Sequence, residues 1–305
     1  MMVAMPMTGA ILCLTSAAFF GAMGVFGKLA YQEGSTVTTL LSARFVVAAL
    51  VLWLALAAVG GLGRLRAMAR RDVLLALGLG AVGYGAQAGC YFTALDRMDA
   101  SLLALVLYTF PVMVAVAAIV LKRDEPSART AVALVLAGGG IAAVLAGAAA
   151  GSLELAATAL GLGAAGVYTV YILTSQGIAG RVDALALATL VCTGAAVTLT
   201  AAGLATGGLD PAAVTGLGWV WLVALAVVST VGAIALFFAG LRRVGPTAAA
   251  ILSTLEPVVT VALAAAAFGE ALTAVQVAGG ALVLLAAVVV QAPLKVPGVL
   301  RERLA

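Results

Sequence analysis

The sequence predicts an all-α integral membrane protein of ten transmembrane helices, arranged as two inverted five-helix repeats. Three observations lead there. Of 305 residues, 65% are hydrophobic and 9% charged, whereas a soluble domain is nearer one quarter charged. Ten apolar runs follow one another with short connections, each near the ~20 residues a tilted helix needs to cross a bilayer. Residues Tyr91 to Val144 align without a gap on Phe237 to Val290, at a constant offset of 146. Phe92, Leu95, Arg97, Ala104, Pro111 and Val112 thereby fall on Phe238, Leu241, Arg243, Ala250, Pro257 and Val258. Apolar residues align by chance, but prolines and an ungapped register do not, so the repeat frames every later argument.

The runs are 8–30, 36–59, 73–95, 100–121, 128–149, 153–175, 183–206, 216–241, 246–268 and 273–291. No Lys or Arg precedes the first, so it lacks the charged start of a cleavable signal peptide and is expected to stay in the mature protein. The third contains Gly78, Gly80 and Gly83 in the order GxGxxG, with Asp96 and Asp99 further on. No strand or turn accompanies these glycines. Small residues at that density let membrane helices pack closely, and a nucleotide site is disfavoured. The fourth and ninth carry Pro111 and Pro257 at matching places, and acidic residues close both, at Asp124–Glu125 and at Glu270. Residues 1–150 form the first repeat, 151–292 the second, and 293–305 a short basic tail.

Loop charge sets the orientation. With the N-terminus inside, cytoplasmic segments hold Arg64, Arg66, Arg70, Arg71, Lys122, Arg123, Arg129, Arg181, Arg242, Arg243, Lys295, Arg301 and Arg303. Outward loops hold Arg97 with Glu33, Asp96, Asp99, Glu154, Asp210 and Glu270. This positive-inside bias places both termini in the cytoplasm of a multi-pass inner-membrane protein. Five spans are an odd number, so the second repeat enters the membrane upside down. Inverted repeats of this kind are a transporter signature, with the substrate site near the midplane between the halves. The tail cations Lys295, Arg301 and Arg303 would lie on anionic lipid.

Several function classes are disfavoured. There is no histidine, and Cys13, Cys90 and Cys192 sit singly in apolar runs. Neither a metal cluster nor a disulfide framework is expected, and no cofactor is called for. No phosphate-binding GxxxxGK[ST] loop occurs, so no motor ATPase is present. An intramembrane enzyme would need clustered catalytic groups at one depth, whereas the spans offer a lone glutamate and no nucleophile–base pair.

Taken together, Phe20–Gly21 followed by Lys28, Arg44–Phe45, the prolines Pro111 and Pro257, and the Glu270 turn resemble the EamA branch of the drug/metabolite transporter superfamily. The resemblance covers the whole chain. It implies ATP-independent movement of small metabolites, very often amino-acid export. In length and aromatic content the chain looks most like the bacterial aromatic-amino-acid exporters. It departs from the family pattern at Glu256, where many members have an apolar or small residue.

Glu256 is the candidate with the sharpest chemistry. A carboxylate at a span centre costs roughly 2.5–3.5 kcal/mol on insertion scales, so it is a functional candidate by default. It lies in line with Ser253 and Thr260 on one helix face, and Pro257 next to it loosens the helix. It is a candidate to bind an amino group or to couple protons; the bland alternative is that it accepts hydrogen bonds from neighbouring helices. Tyr84, Gln87, Tyr108, Tyr168, Tyr171, Ser253 and Glu256 are the expected substrate-binding residues, since deep aromatics with a polar handle suit a cavity for an amphipathic solute. Tyr31, Trp53, Tyr91, Trp219 and Trp221 lie near span ends and fit the interfacial belt. Arg44 is deep enough to partner the Glu256 carboxylate or a substrate carboxylate, and equally could be a structural arginine bonded to helix-end carbonyls. Lys28 is near enough to a span end to snorkel. Pro111 and Pro257 are the expected hinges. The resulting expectation is a monomeric secondary or facilitative exporter of small metabolites, most of all aromatic or neutral amino acids, working by alternating access with no partner beyond its substrate and the membrane lipids, and no nucleic acid. The alternative is efflux of cationic drugs on the same fold.

Overall fold

The computed structural model of the protein describes residues 7–146, 155–179 and 181–291. Glu154, the basic tail with Lys295, Arg301 and Arg303, and the boundary between the repeats near residue 150 lie outside the described residues. Within them the chain is helical, with no strand. The spans are α1 (Met7–Gln32), α2 (Val37–Ala58), α3 (Arg70–Leu95), α4 (Ala100–Val120), α5 (Ala128–Ala146), α6 (Leu155–Ala179), α7 (Ala184–Thr206), α8 (Gly216–Val244), α9 (Pro246–Ser253 with Leu255–Phe268) and α10 (Ala274–Gln291). Among the described residues nine helices are long and apolar enough to cross a bilayer, and Ala128–Val144 within α5 is a shorter apolar helix. The antiparallel succession of spans gathers Arg64, Arg66, Arg70, Arg71 and Arg181 at one end and Glu33, Asp99 and Glu270 at the other. These are called here the arginine-rich and the acidic ends.

The two repeats share their irregularities as well as their spans. α3 widens into a π-helical segment at Leu79–Tyr84 and α8 does so at Val227–Gly232. α4 is broken at Tyr108–Thr109 and α9 at Thr254. The 146-residue offset places Tyr84 on Thr230, Tyr108 on Thr254 and Phe110 on Glu256. The breaks follow from proline chemistry: Pro111 has no N–H for the Leu107 carbonyl, and Pro257 none for that of Ser253. The chain tightens instead, with the Thr109 amide on the Val106 carbonyl and the Thr254 amide on that of Ile251, as in a 3₁₀ turn.

Packing is mostly between halves. α1 lies against α8 and α9, α2 against α7 and α8, and α5 against α10, while α3 sits on α6 and α7. Small residues make the crossings possible, because lipid offers helices no hydrophobic drive to associate and close backbone approach must supply the contact. A β-carbon on Gly80 would stand 1.9 Å from the Val191 carbonyl oxygen, and one on Gly140 2.7 Å from that of Gly279. Within α3 the close packing is made at Gly80 against α7 and at Gly83 against Tyr171 of α6, while Gly78 and Gly89 meet open space. Leu50, Leu54, Val82 and Val135 are exposed, as lipid-facing side chains should be.

One residue of the expected aromatic belt, Tyr91, is buried in the bundle. Tyr91 is 3% exposed and packs edge-on against Phe92 inside the bundle. Trp53 donates its indole N–H to Thr193 and Trp221 stacks on Phe26. Trp219 is exposed. For Tyr91, proximity to a span end did not decide orientation; the facing helices did. Substituting Gly80→Val should destabilise the folded protein by about 1–3 kcal/mol or more through overpacking. Gly89→Ala, where a β-carbon meets nothing within 4 Å, should leave stability unchanged or raise it by up to ~1 kcal/mol. Thermal unfolding of the purified protein followed by size-exclusion chromatography distinguishes the two.

Candidate functional site

A cavity of 560 Å³ opens at mid-depth between the halves, within the usual size of small-molecule sites. Its wall includes Phe20 of α1, Tyr84 of α3, Tyr108, Phe110 and Pro111 of α4, Tyr168 and Tyr171 of α6, Phe237 and Phe238 of α8, and Ser253 and Glu256 of α9. It reaches Ala184, the first residue of α7, and Gln291, the last of α10. Both belong to the arginine-rich end, so the cavity runs from mid-depth toward that end.

The helix breaks place its polar groups. Loss of the Pro257 amide frees the Ser253 carbonyl, and the Tyr108 hydroxyl donates to it across the cavity from the other half. The same break makes Leu255 the start of a new helix, with Glu256 in its first turn, where the helix dipole favours a negative charge. Glu256 lies in the wall with no side-chain hydrogen bond or ion pair among the described residues, and it is the only acidic or basic residue in that wall. Its own carbonyl accepts from Thr260 Oγ1 at 3.1 Å, and the same hydroxyl reaches the Gly21 carbonyl at 2.9 Å. A β-carbon on Gly21 would stand 2.7 Å from the Glu256 carbonyl oxygen, so α1 is seated directly against the turn that carries the carboxylate.

Opposite this polar edge the wall is a ladder of rings. Tyr84 stacks on Tyr171 at 5.8 Å between centroids, Tyr171 on Tyr168 at 6.1 Å, and Tyr168 meets Phe110 edge-on at 4.7 Å. Phe110 in turn meets Tyr108 at 5.6 Å. Tyr84, Tyr108, Tyr168, Tyr171, Ser253 and Glu256 thus come together. Gln87 does not: it is 7% exposed and stands off the wall.

Arg44 also differs from expectation. It is 1% exposed and is not paired with Glu256. Nε donates to Thr230 Oγ1 at 3.0 Å and Nη2 to the Tyr84 hydroxyl at 3.2 Å. The guanidinium lies over the rings of Phe45, Phe92 and Tyr84 at 4.9, 5.2 and 5.8 Å, where ring faces attract a desolvated cation. Its two hydrogen-bond partners are repeat equivalents, one on each π segment. Thr230 passes the contact on by donating to the Leu225 carbonyl at 3.1 Å.

Lys28 was expected to snorkel and instead anchors the acidic end. Its ammonium is 2.8 Å from Glu270 and 3.6 Å from Asp99. Glu270, whose side chain is 6% exposed, also accepts from the Ser101 hydroxyl at 2.7 Å and from the amides of Ser101 and Ala100 at 3.0 and 3.1 Å. It therefore caps the start of α4 from the other half. Burial pushes the Glu270 carboxyl up, but the hydrogen bonds from Lys28 and Ser101 and the Lys28 charge outweigh that and leave it below its ordinary range. Two opposite charges at one predicted membrane depth were the signal that could have paired them.

The EamA-like transporter family matches residues 7–146 and 155–291. A solved protein crystal structure superposes with a TM-score of 0.64 at 20% identity, covering 97% of this chain and 98% of the other, which shows a shared fold. Among curated proteins none matches.

Glu270→Gln should lower the unfolding free energy by about 1–3 kcal/mol near neutrality, since it removes the carboxylate nearest Lys28 and leaves only the more distant, exposed Asp99. Because the folded protein favours the ionised form, this contribution is complete above the ordinary glutamate pKa and is lost as pH falls through the lower folded value. The gap between wild type and Glu270→Gln, measured by thermal unfolding across pH, should be constant near neutrality and close below about pH 4.3.

Proposed function

This chain belongs to the EamA-like transporter family, and we propose that it exports small amphipathic metabolites bearing an amino group, aromatic and other neutral amino acids foremost, across the bacterial inner membrane by alternating access. The observation that carries the reading is the mid-depth cavity, ring-lined on one side, with Glu256 as the one acidic or basic side chain among its described lining residues. The rings take an apolar body and the carboxylate takes an ammonium. Loose aromatic contact suits low-affinity binding from a concentrated cytoplasm. With the termini cytoplasmic, the cavity faces the cytoplasm while the Lys28–Glu270–Ser101 cluster seals the outside, and release would require that cluster to part. Glu256, unpartnered and flanked by Thr260 and the break at Thr254, is the group that would exchange a proton or a substrate amine between the two states.

One observation favours a second reading. Glu256 lies in the wall while Arg44 stands behind it, which by itself suits cationic compounds that have no carboxylate.

Uptake of a labelled amino-acid panel into proteoliposomes, with and without an imposed pH gradient, tests the proposal. Saturable uptake of phenylalanine, tyrosine or tryptophan is expected, falling at least tenfold in Glu256→Gln. Gradient-driven uptake abolished by that substitution identifies proton coupling. Absence of amino-acid uptake by folded protein that still carries quaternary or aromatic amines would replace the leading reading with the second.

A further inference from the structure

We propose that Arg44, acting through the Tyr84 hydroxyl, gives the cavity a carboxylate-binding end, so that the transported solute is a zwitterion rather than a simple amine. This deepens the function proposed above and rests on it.

Arg44 is a buried guanidinium with no carboxylate within ion-pair distance among the described residues. A charge taken out of water without a counter-ion is costly, and hydrogen bonds and ring faces offset only part of that cost. The bonding to Tyr84 has a direction. Arg44 Nη2 is the donor, so the Tyr84 oxygen is the acceptor, and the phenol proton has to point elsewhere. Among the described residues no acceptor takes it, and Tyr84 forms part of the cavity wall. A hydroxyl that accepts from a cation is a stronger donor in turn, because hydrogen bonds in series polarise one another. The cavity thus receives an O–H backed by a positive charge.

Glu256 faces the same space. Tyr84 lines this cavity together with Glu256 and holds Arg44 through its hydroxyl, and among the described residues the two charges do not neutralise each other by direct pairing. The balance of charge then selects the solute. An amine alone would neutralise Glu256 and leave Arg44 uncompensated; an acid alone would do the reverse. A solute with an ammonium on Glu256 and a carboxylate on Tyr84 satisfies both ends, and its side chain lies along the ladder of Tyr171, Tyr168 and Phe110. Arg44 is here a positioning residue, since it touches the solute only through Tyr84.

Binding of three probes of one shape to the purified full-length protein tests this: phenylalanine, phenethylamine without the carboxylate, and 3-phenylpropionate without the amine. Wild type should hold phenylalanine at least tenfold more tightly than either. Tyr84→Phe keeps the ring and removes the hydroxyl; it should weaken phenylalanine five- to twentyfold and leave phenethylamine within twofold. Arg44→Gln should shift the same ratio in the same direction, and where it fails to fold, Tyr84→Phe decides. A merely structural role for Arg44 and Tyr84 would weaken both probes together. Equal binding of phenylalanine and phenethylamine by wild type, or a phenylalanine-to-phenethylamine ratio unmoved by Tyr84→Phe, overturns the inference and leaves the transport proposal standing. Failure of all three probes to bind folded protein overturns both.

Discussion

In hydrocarbon every backbone N–H and C=O has to find a partner within the protein, and this chain breaks its own helices at the depth where that rule is strictest. Each break leaves a polar group that something else has to satisfy. The Ser253 carbonyl, orphaned by Pro257, is taken by Tyr108. The Thr230 hydroxyl, inside a π segment, donates back to the Leu225 carbonyl. Ser16 reaches the Ala233 carbonyl at 2.7 Å, just past the same segment, and Thr260 reaches that of Gly21. Three of these four contacts join distant parts of the chain, so the irregular points of the helices are also where the halves are tied. The cavity lies among them because only there do polar side chains have a structural reason to enter the membrane.

Much of the fold was legible beforehand. The span limits, the inverted repeat and the matching prolines follow from hydropathy and from one constant offset, and the structure adds that the breaks themselves obey the offset, with Tyr108 on Thr254. The π segments were not legible. Apart from Tyr84, Ser229 and Thr230, Leu79–Tyr84 and Val227–Gly232 are small or apolar like their surroundings, and no residue in them demands the wider π turn. Gln87, three residues beyond Tyr84, stands off the wall while Tyr84 is on it, a difference that the i, i+3 spacing does not foresee.

Charges were the least legible part, because pairing is set by which helices face each other and periodicity within one helix is silent on that. Lys28 had an easy escape to the interface, yet Glu270 of the opposite half meets it first. Arg44 could have reached Glu256, yet two hydroxyls and three rings hold it. The offset did contain a clue: Tyr84 and Thr230 are the same position in two copies, and a single arginine satisfies both. Function enters where the copies differ. Phe110 continues the ring ladder in one half, and in the other its equivalent is Glu256.

The bond from Tyr108 to the Ser253 carbonyl has a mechanical meaning. Two broken helices, taken separately, are two independent joints. Here the residue at one joint holds the backbone of the other, so bending either without the other would strip a carbonyl of its partner in a medium with no water to replace it. The bond ties the two breaks together, so that any bending at one would have to carry the other with it.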